Sequence, residues 1–293
     1  MSRPSAKKNI CPDGEMAPSN MKKILVFGPV VIDTIQNKER HGGTAGNMAY
    51  GLGLLGAKPM LFSLAGDDFH GSYGKHLKKE GVDLRVHIDK KNKTARYYEL
   101  SATQRVWHPN AYKNIHKVSL NKTISKKHLK GVDLAIFSSS PGVSMIKHIE
   151  NFKKHAKGAL VIFDPGQTIY QFSKNELKKC ITLSDIFIIN EDEYAQAKKC
   201  LGKDPRNAFV KKIIIETLGA KGSLVFAEGK MKKVSAIRPR KVLDATGAGD
   251  AYRAGLIFGL SRDLSLIEAC GLGAKMASKN IEYVGCQEYK FSI

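Results

Sequence analysis

Nowhere in the 293 residues is there an unbroken apolar run of about 18, the length a membrane-spanning helix needs, so none is expected. The first 20 residues, MSRPSAKKNICPDGEMAPSN, lack the apolar stretch of a secretory signal. They are polar and carry Pro and Gly. Residues 1–20 are therefore expected to be a disordered tail, with Met21 an alternative start. The 5 cysteines, Cys11, Cys180, Cys200, Cys270 and Cys286, are scattered, odd in number and without a C-x-x-C pair. That speaks against a disulfide framework or a zinc site and for a reducing, cytoplasmic setting. The phosphate-binding signature G-x-x-x-x-G-K-[ST] is missing too, so a nucleotide would have to be held by another device. No internal repeat or low-complexity tract is evident.

What is plentiful is positive charge: 48 Lys and Arg against 27 Asp and Glu, a formal net charge of +21. Nucleic-acid binding is one reading of such an excess. The lysines, however, are spread in pairs from Lys22-Lys23 to Lys232-Lys233, mostly where an amphipathic element would show its wet face. They read as a solvated surface that also collects anionic ligands, and nucleic acid is not expected as a partner. A hydrophobic fraction of 42% is that of an ordinary globular chain, long enough to bury a substantial core.

Short β-rich runs alternate with helical patterns along the chain. KKILVFGPV, PMLFSLAG, VDLAIFSSS, ALVIFDPG, DIFIIN and KKIIIETLG read as buried strands, most of them ending in Gly, Asp, Ser, Asn or Pro. The stretches between them, such as VSMIKHIENFKKHAKG and EDEYAQAKKCLG, have helical spacing. The alternation predicts an α/β fold: a mostly parallel central sheet with helices on both faces. Two regions break the rhythm. Residues 33–42 are short and polar, and residues 84–114 (LRVHID, TARYYELS, RVWHP) alternate with no helix. Both are expected to supply strands of a small separate β-sheet acting as a lid. GSLVFAEG and KMKKVSAI read as a hairpin, followed by the helices AGDAYRAGLIFGLS and SLIEACGLGAKMASKN.

The segment VLDATGAGDAYRAGL, residues 242–256, carries the most chemistry. A helix begins there, and a helix start offers unpaired backbone N–H groups and the positive end of a dipole. Gly247, Ala248 and Gly249 let an anion approach that backbone, and Thr246 is a candidate helix cap. Asp250 sits in the first turn beside the same pocket. A carboxylate next to an anion hole suits removal of a proton from an alcohol that attacks phosphorus, while the hole steadies the phosphoryl group. The plainer reading of Asp250, a favourable acid near a helix start, does not account for the Gly-Ala-Gly run.

This segment resembles the C-terminal signature of the ribokinase (PfkB) family of sugar and nucleoside kinases. Other segments agree. GGTAGNMAYGLGLLG, residues 42–56, resembles the family's N-terminal signature, with Asn47, Ala49, Gly56 and Gly66 at matching spacing. Asp33, at the end of FGPVVID, matches an Asp that binds two sugar hydroxyls. Asn190 and Glu193 match an Asn-x-x-Glu element that places Mg and phosphate, and TLGAKG, residues 217–222, resembles a loop of the ATP site. The resemblance covers the chain from about Met21 onward. It implies a ribokinase-like kinase domain over residues 21–293, with ATP and Mg as cofactors and a monovalent cation such as K as an accessory. The implied catalytic set is Asp250 with Gly247, Ala248 and Gly249. Asp33, Gly42, Gly43 and Asn47 would bind substrate. Asn190, Thr217, Gly219 and Gly222 would bind nucleotide, with Mg held through water at Asn190 and Glu193. Two departures stand out: Ala245 replaces the usual Thr or Ser, and Arg253 has no role that the sequence suggests.

FDPGQ (residues 163–167), ASKNIEYVGCQEY (residues 277–289) and the lid segment ATQRVWHPNAY (residues 102–112) resemble the adenosine-kinase-like branch, although Asn110 stands where Gly is usual. Trp107, Tyr97, Tyr98 and Tyr112 are candidates to stack a base or simply to pack the lid. The expected reaction is ATP-dependent phosphorylation of a ribonucleoside 5′-hydroxyl. The alternatives are a kinase for a free sugar such as ribose and a nucleic-acid-binding protein on an inactive kinase fold. Family members in which the lid forms a dimer interface allow a homodimer here as well.

Overall fold

Buried apolar runs assemble into strands whose side chains alternate between two separate cores. The computed structural model describes residues 21–35, 37–99, 105–107 and 122–291. In chain order the strands are β1 (Ile24–Phe27), β2 (Val31–Ile35), β3 (Lys38–Gly42), β4 (Met60–Gly66), β5 (Asp83–Asp89), β6 (Arg96–Glu99) and β7 (Arg105–Trp107). They continue with β8 (Leu134–Ser138), β9 (Leu160–Asp164), β10 (Ile186–Asn190), β11 (Ile213–Thr217), β12 (Ser223–Ala227) and β13 (Lys230–Val234). A nine-stranded sheet runs in the order β13-β12-β11-β10-β9-β8-β1-β4-β5. Its seven strands from β11 to β5 are parallel, and β12 and β13 add an antiparallel hairpin. Ile24 and Val26 of β1 point into one core with Met48, Leu52 and Leu256; Leu25 and Phe27 point into the other with Met145, Ile149 and Leu177. Burial on both faces is why these strands read as continuous apolar runs. No helix of the described residues is long and apolar enough to cross a membrane.

The order of the sheet fixes where a ligand can sit. From β1 the chain moves outward through β4 and β5 on one side, then returns to β8 and moves outward the other way. The crossovers therefore diverge next to β1 and β8, and the crevice beyond the carboxyl ends of the strands opens there. Ser138, Asp164, Asn190 and Thr217 are the last residues of β8, β9, β10 and β11, so all four lie at that end.

A second sheet of four strands has the order β3-β2-β6-β7. It contains β2 and β3, but LRVHID does not belong to it. Residues 83–89 form β5, the edge of the large sheet, paired in parallel with β4 from Asp83 opposite Met60 to Asp89 opposite Gly66. Period-two alternation records one wet and one dry face, and an edge strand of the main sheet has that character just as a lid strand does. β1 stops at Phe27, and Asp33 lies inside β2 of the small sheet, opposite Arg40. Residues 1–20 and most of the segment 102–112 lie outside the described residues.

Candidate active site

The helix Ala248–Ser261 starts at Gly247, whose φ of 80° is left-handed. A Cβ on Gly247 would sit 2.8 Å from Cys286 Cβ, so both the backbone angle and the close neighbour demand glycine. Gly247 is the N-cap of this helix, so Thr246 does not hold the expected capping position. Its N–H donates to Asp244 Oδ1 (2.8 Å), while Asp244 Oδ2 accepts the N–H of Gly285 (2.9 Å). Asp244 thus clasps the turn to the C-terminal loop. Ala248 N–H meets Ala245 O at 3.3 Å, and Ala251 N–H is the first to bond back to Gly247 O, at 2.9 Å. The amides of Gly249 and Asp250 fall between these two, at helix positions that have no partner within the helix.

Asp250 lies half-buried at this mouth, and Asn47 Nδ2 donates to its Oδ2 at 2.7 Å. Asn47 is on the helix Thr44–Leu54, which begins at Gly43 (φ 85°). The N-terminal and C-terminal glycine-rich segments, 203 residues apart at this contact, therefore meet in one site. Asp33 approaches from the small sheet: a Cβ on Gly42 would lie 1.8 Å from Asp33 Oδ2, so Gly42 is what lets that buried carboxylate stand against the strand end. Tyr73 donates its hydroxyl to Gly42 O, and the fields of Asp33 and Asp250 both reach it. Gln287, a residue the sequence did not single out, donates from Nε2 to Asn47 Oδ1 (2.9 Å) and to Tyr73 Oη (2.7 Å). Only its place in the ASKNIEYVGCQEY segment hinted at it.

Arg253 gains a place here. It follows Asp250 by three residues on the same helix, is buried, and donates from Nη2 to Asp164 Oδ1 at 2.7 Å, with Glu193 Oε2 at 3.9 Å. Asp164 Oδ2 accepts from Ser138 Oγ (2.8 Å), which is 3.1 Å from Thr44 Oγ1. One guanidinium thus serves several acids in the cleft. Withdrawal from water pushes the Asp250 carboxyl up from 3.8 to about 7, against the pull of Arg253 and the Asn47 hydrogen bond and with the help of Asp164 and Glu193. Burial raises Glu193 as well, opposed by Arg253.

Asn190 and Glu193 form a capping box at the start of the helix Glu191–Leu201. Asn190 Oδ1 accepts the Glu193 N–H (2.8 Å), and Glu193 Oε2 accepts the Asn190 N–H (2.9 Å). Asn190 is exposed at the strand end and Glu193 is buried against Arg253. Thr217, opposite Asn190 in β11, places its Oγ1 3.4 Å from Ile189 O. Gly219 has a φ of 55° and open space around it, whereas a Cβ on Gly222 would lie 2.1 Å from Val234 O. Gly219 is therefore the accessible member of this turn and Gly222 its structural hinge.

Residues 16–291 match the profile of the pfkB family carbohydrate kinases. A nucleoside kinase of Methanocaldococcus jannaschii is 32% identical, with 91% of this chain and 93% of that protein covered. The crystal structure of the nucleoside kinase from M. jannaschii superposes with a TM-score of 0.80 at 25% identity over 92% of this chain and 95% of that one. A Burkholderia thailandensis nucleoside kinase in complex with ADP-inosine shares the fold, with a TM-score of 0.79 at 23% identity and coverage of 92% of each chain. With a family profile spanning nearly the whole chain and a site built from both glycine-rich segments, this protein belongs to the pfkB family of carbohydrate kinases and is a phosphotransferase.

Proposed function

We propose that this protein transfers the γ-phosphate of ATP to the 5′-hydroxyl of a ribonucleoside. The observation that carries the reading is the Asn47–Asp250 hydrogen bond of 2.7 Å, which brings the N-terminal glycine turn and the Asp250 helix mouth into one cleft. The nucleoside as substrate is supported by the relatives, which include the M. jannaschii nucleoside kinase and a B. thailandensis nucleoside kinase in complex with inosine.

In this reading Asp250 takes the proton of the attacking hydroxyl. A carboxyl raised to about 7 is well matched to that task, because it is basic enough to accept the proton and still substantially ionised near neutrality. The helix mouth at Gly247, Ala248 and Gly249 holds the phosphoryl group as negative charge spreads over its oxygens. Asp33, Gly42, Gly43 and Asn47 receive the ribose. Thr217, Gly219 and Gly222 shape the nucleotide pocket with Asn190. Closure of the small sheet would exclude water and so protect ATP from hydrolysis.

Among the described residues no three Asp, Glu, His or Cys side chains converge to ligate a metal directly. Asp164, Glu193 and Asp250 nevertheless surround a single guanidinium, and that excess of negative charge fits a divalent cation held through water. Asn190 and Glu193 are the residues that would hold its waters, and Mg would neutralise phosphate charge there. A monovalent cation such as K is an accessory in this reading, and a homodimer through the small sheet is its assembly.

The test is a side-by-side assay of nucleosides and free sugars with ATP and Mg, in K and in tetramethylammonium salts, with the product identified by mass and position of phosphorylation. A ribonucleoside 5′-phosphate is expected. Turnover of ribose but of no nucleoside would overturn the assignment. Asp250→Asn is expected to lower kcat by at least a hundredfold with little change in KM.

A further inference from the structure

Five groups in the site form a hydrogen-bonded chain whose direction is fixed at one end. Gly42 O is a backbone carbonyl and only accepts. Tyr73 must therefore spend its proton on Gly42 O, and its oxygen is left to accept. Gln287 accordingly turns its amide nitrogen to Tyr73 Oη, 2.7 Å away, and the second hydrogen of that nitrogen goes to Asn47 Oδ1, 2.9 Å away. With its oxygen engaged, Asn47 turns its own Nδ2 to Asp250 Oδ2, 2.7 Å away. Tyr73, Gln287 and Asn47 are all buried, so water does not offer substitute partners. Tyr73 is held further by stacking on His41, with ring centroids 4.6 Å apart.

We propose that Gln287 is a positioning residue for the base: by fixing the Asn47 amide it makes Asp250 Oδ2 a permanent acceptor and reserves Oδ1 for the substrate proton. The proposal rests on the reading of Asp250 as the base. A free Asn47 amide could rotate and set its carbonyl oxygen against the carboxylate, which favours the protonated acid and idles the base. In the intact chain that rotation would leave Gln287 Nε2 facing a second donor. The Asn47 hydrogen bond draws the Asp250 carboxyl down, in the direction the proposal requires.

Gln287→Met keeps the length of the side chain and deletes both donors. The acid limb of the kcat/KM profile is expected to move to higher pH, with kcat at pH 7 about fivefold lower, the effect of losing one net hydrogen bond. Most of the rate should return by pH 9, with KM for ATP changed less than twofold. Tyr73→Phe, which removes the anchoring hydroxyl but no donor from Gln287, is expected to move the limb the same way by a smaller amount. It decides the matter if the Met variant does not fold. A purely structural role would lower the unfolding midpoint and leave the limb where it is, and that result overturns the proposal. Asp250→Asn run in parallel separates the two readings. If it is inactive while both neighbouring variants keep the parental limb, the positioning role alone fails. If it turns over normally, the base assignment fails and this proposal with it.

Discussion

Arg253 Nη2 and Asp164 Oδ1 meet at 2.7 Å in a pair whose side chains are only 6% and 1% exposed. The contact ties the helix that carries Asp250 to the end of β9, and it sets the one guanidinium of the cluster under the acids of the cleft. The orientation is further held from behind, because Asp164 also accepts from Ser138.

Removing that guanidinium leaves acids buried without their partner. Arg253→Met is expected to cost about 3–5 kcal/mol of stability, the usual penalty for breaking a buried pair from one side. Arg253→Lys should recover only part of it, since both contacts run through Arg253 Nη2 and the compact, strongly hydrated ammonium of lysine does not match the guanidinium in a buried pair. Urea denaturation at pH 7 measures both; a loss for Arg253→Met below about 1 kcal/mol would contradict the burial argument.

The raised Asp250 carboxyl predicts opposite pH trends for activity and stability. With Asp250 as the proposed base, activity needs its ionised form, so kcat/KM should fall as pH drops below about 7. For stability the sign reverses. The folded state holds the proton more tightly than the unfolded chain, whose carboxyl stays near 3.8. Folding is therefore favoured at low pH and loses that contribution as pH rises from about 4 through about 7. Asp250→Asn should abolish this dependence and be more stable than the parent above pH 7, with the difference shrinking toward pH 4. Thermal unfolding across that range reads it, and a parental curve in the variant would rule out the shift.

Two glycines with left-handed backbones should respond differently to alanine. Gly247→Ala places a Cβ against Cys286 at 2.8 Å and displaces the helix mouth, so loss of kcat and a fall of several degrees in Tm are expected together. Gly219→Ala meets open space, and only the backbone cost of about 1–2 kcal/mol applies. Steady-state kinetics beside calorimetry distinguishes them; equal behaviour would show that the contact with Cys286 relaxes freely.

Much of the architecture was legible because its signals are local. Runs such as LAIFS and IFIIN are buried on both faces and alternate with amphipathic segments, which is enough to indicate a parallel sheet. LRVHID misled because its alternation reports partial burial and says nothing of which sheet provides it. Thr246 misled because the residue at the helix N-cap is Gly247, one position further along the chain. The Asn-x-x-Glu element was legible both as a helix start and as a site, and the capping box shows that the first of these is physically present.

The residues that act at a distance were the ones sequence could not place. Arg253 pairs with Asp164 across 89 positions, and Gln287 reaches Asn47 across 240. Nothing in the spacing of either pair encodes the contact. By itself the sequence determined the alternation of strands and helices, the glycine-lined helix start and the acid beside it, because backbone propensity, side-chain period and local charge are properties of neighbours in the chain. Only the tertiary structure decided which buried groups share a hydrogen, which acids share one guanidinium and how far Asp250 is withdrawn from water, because those depend on packing between segments that the chain order leaves apart.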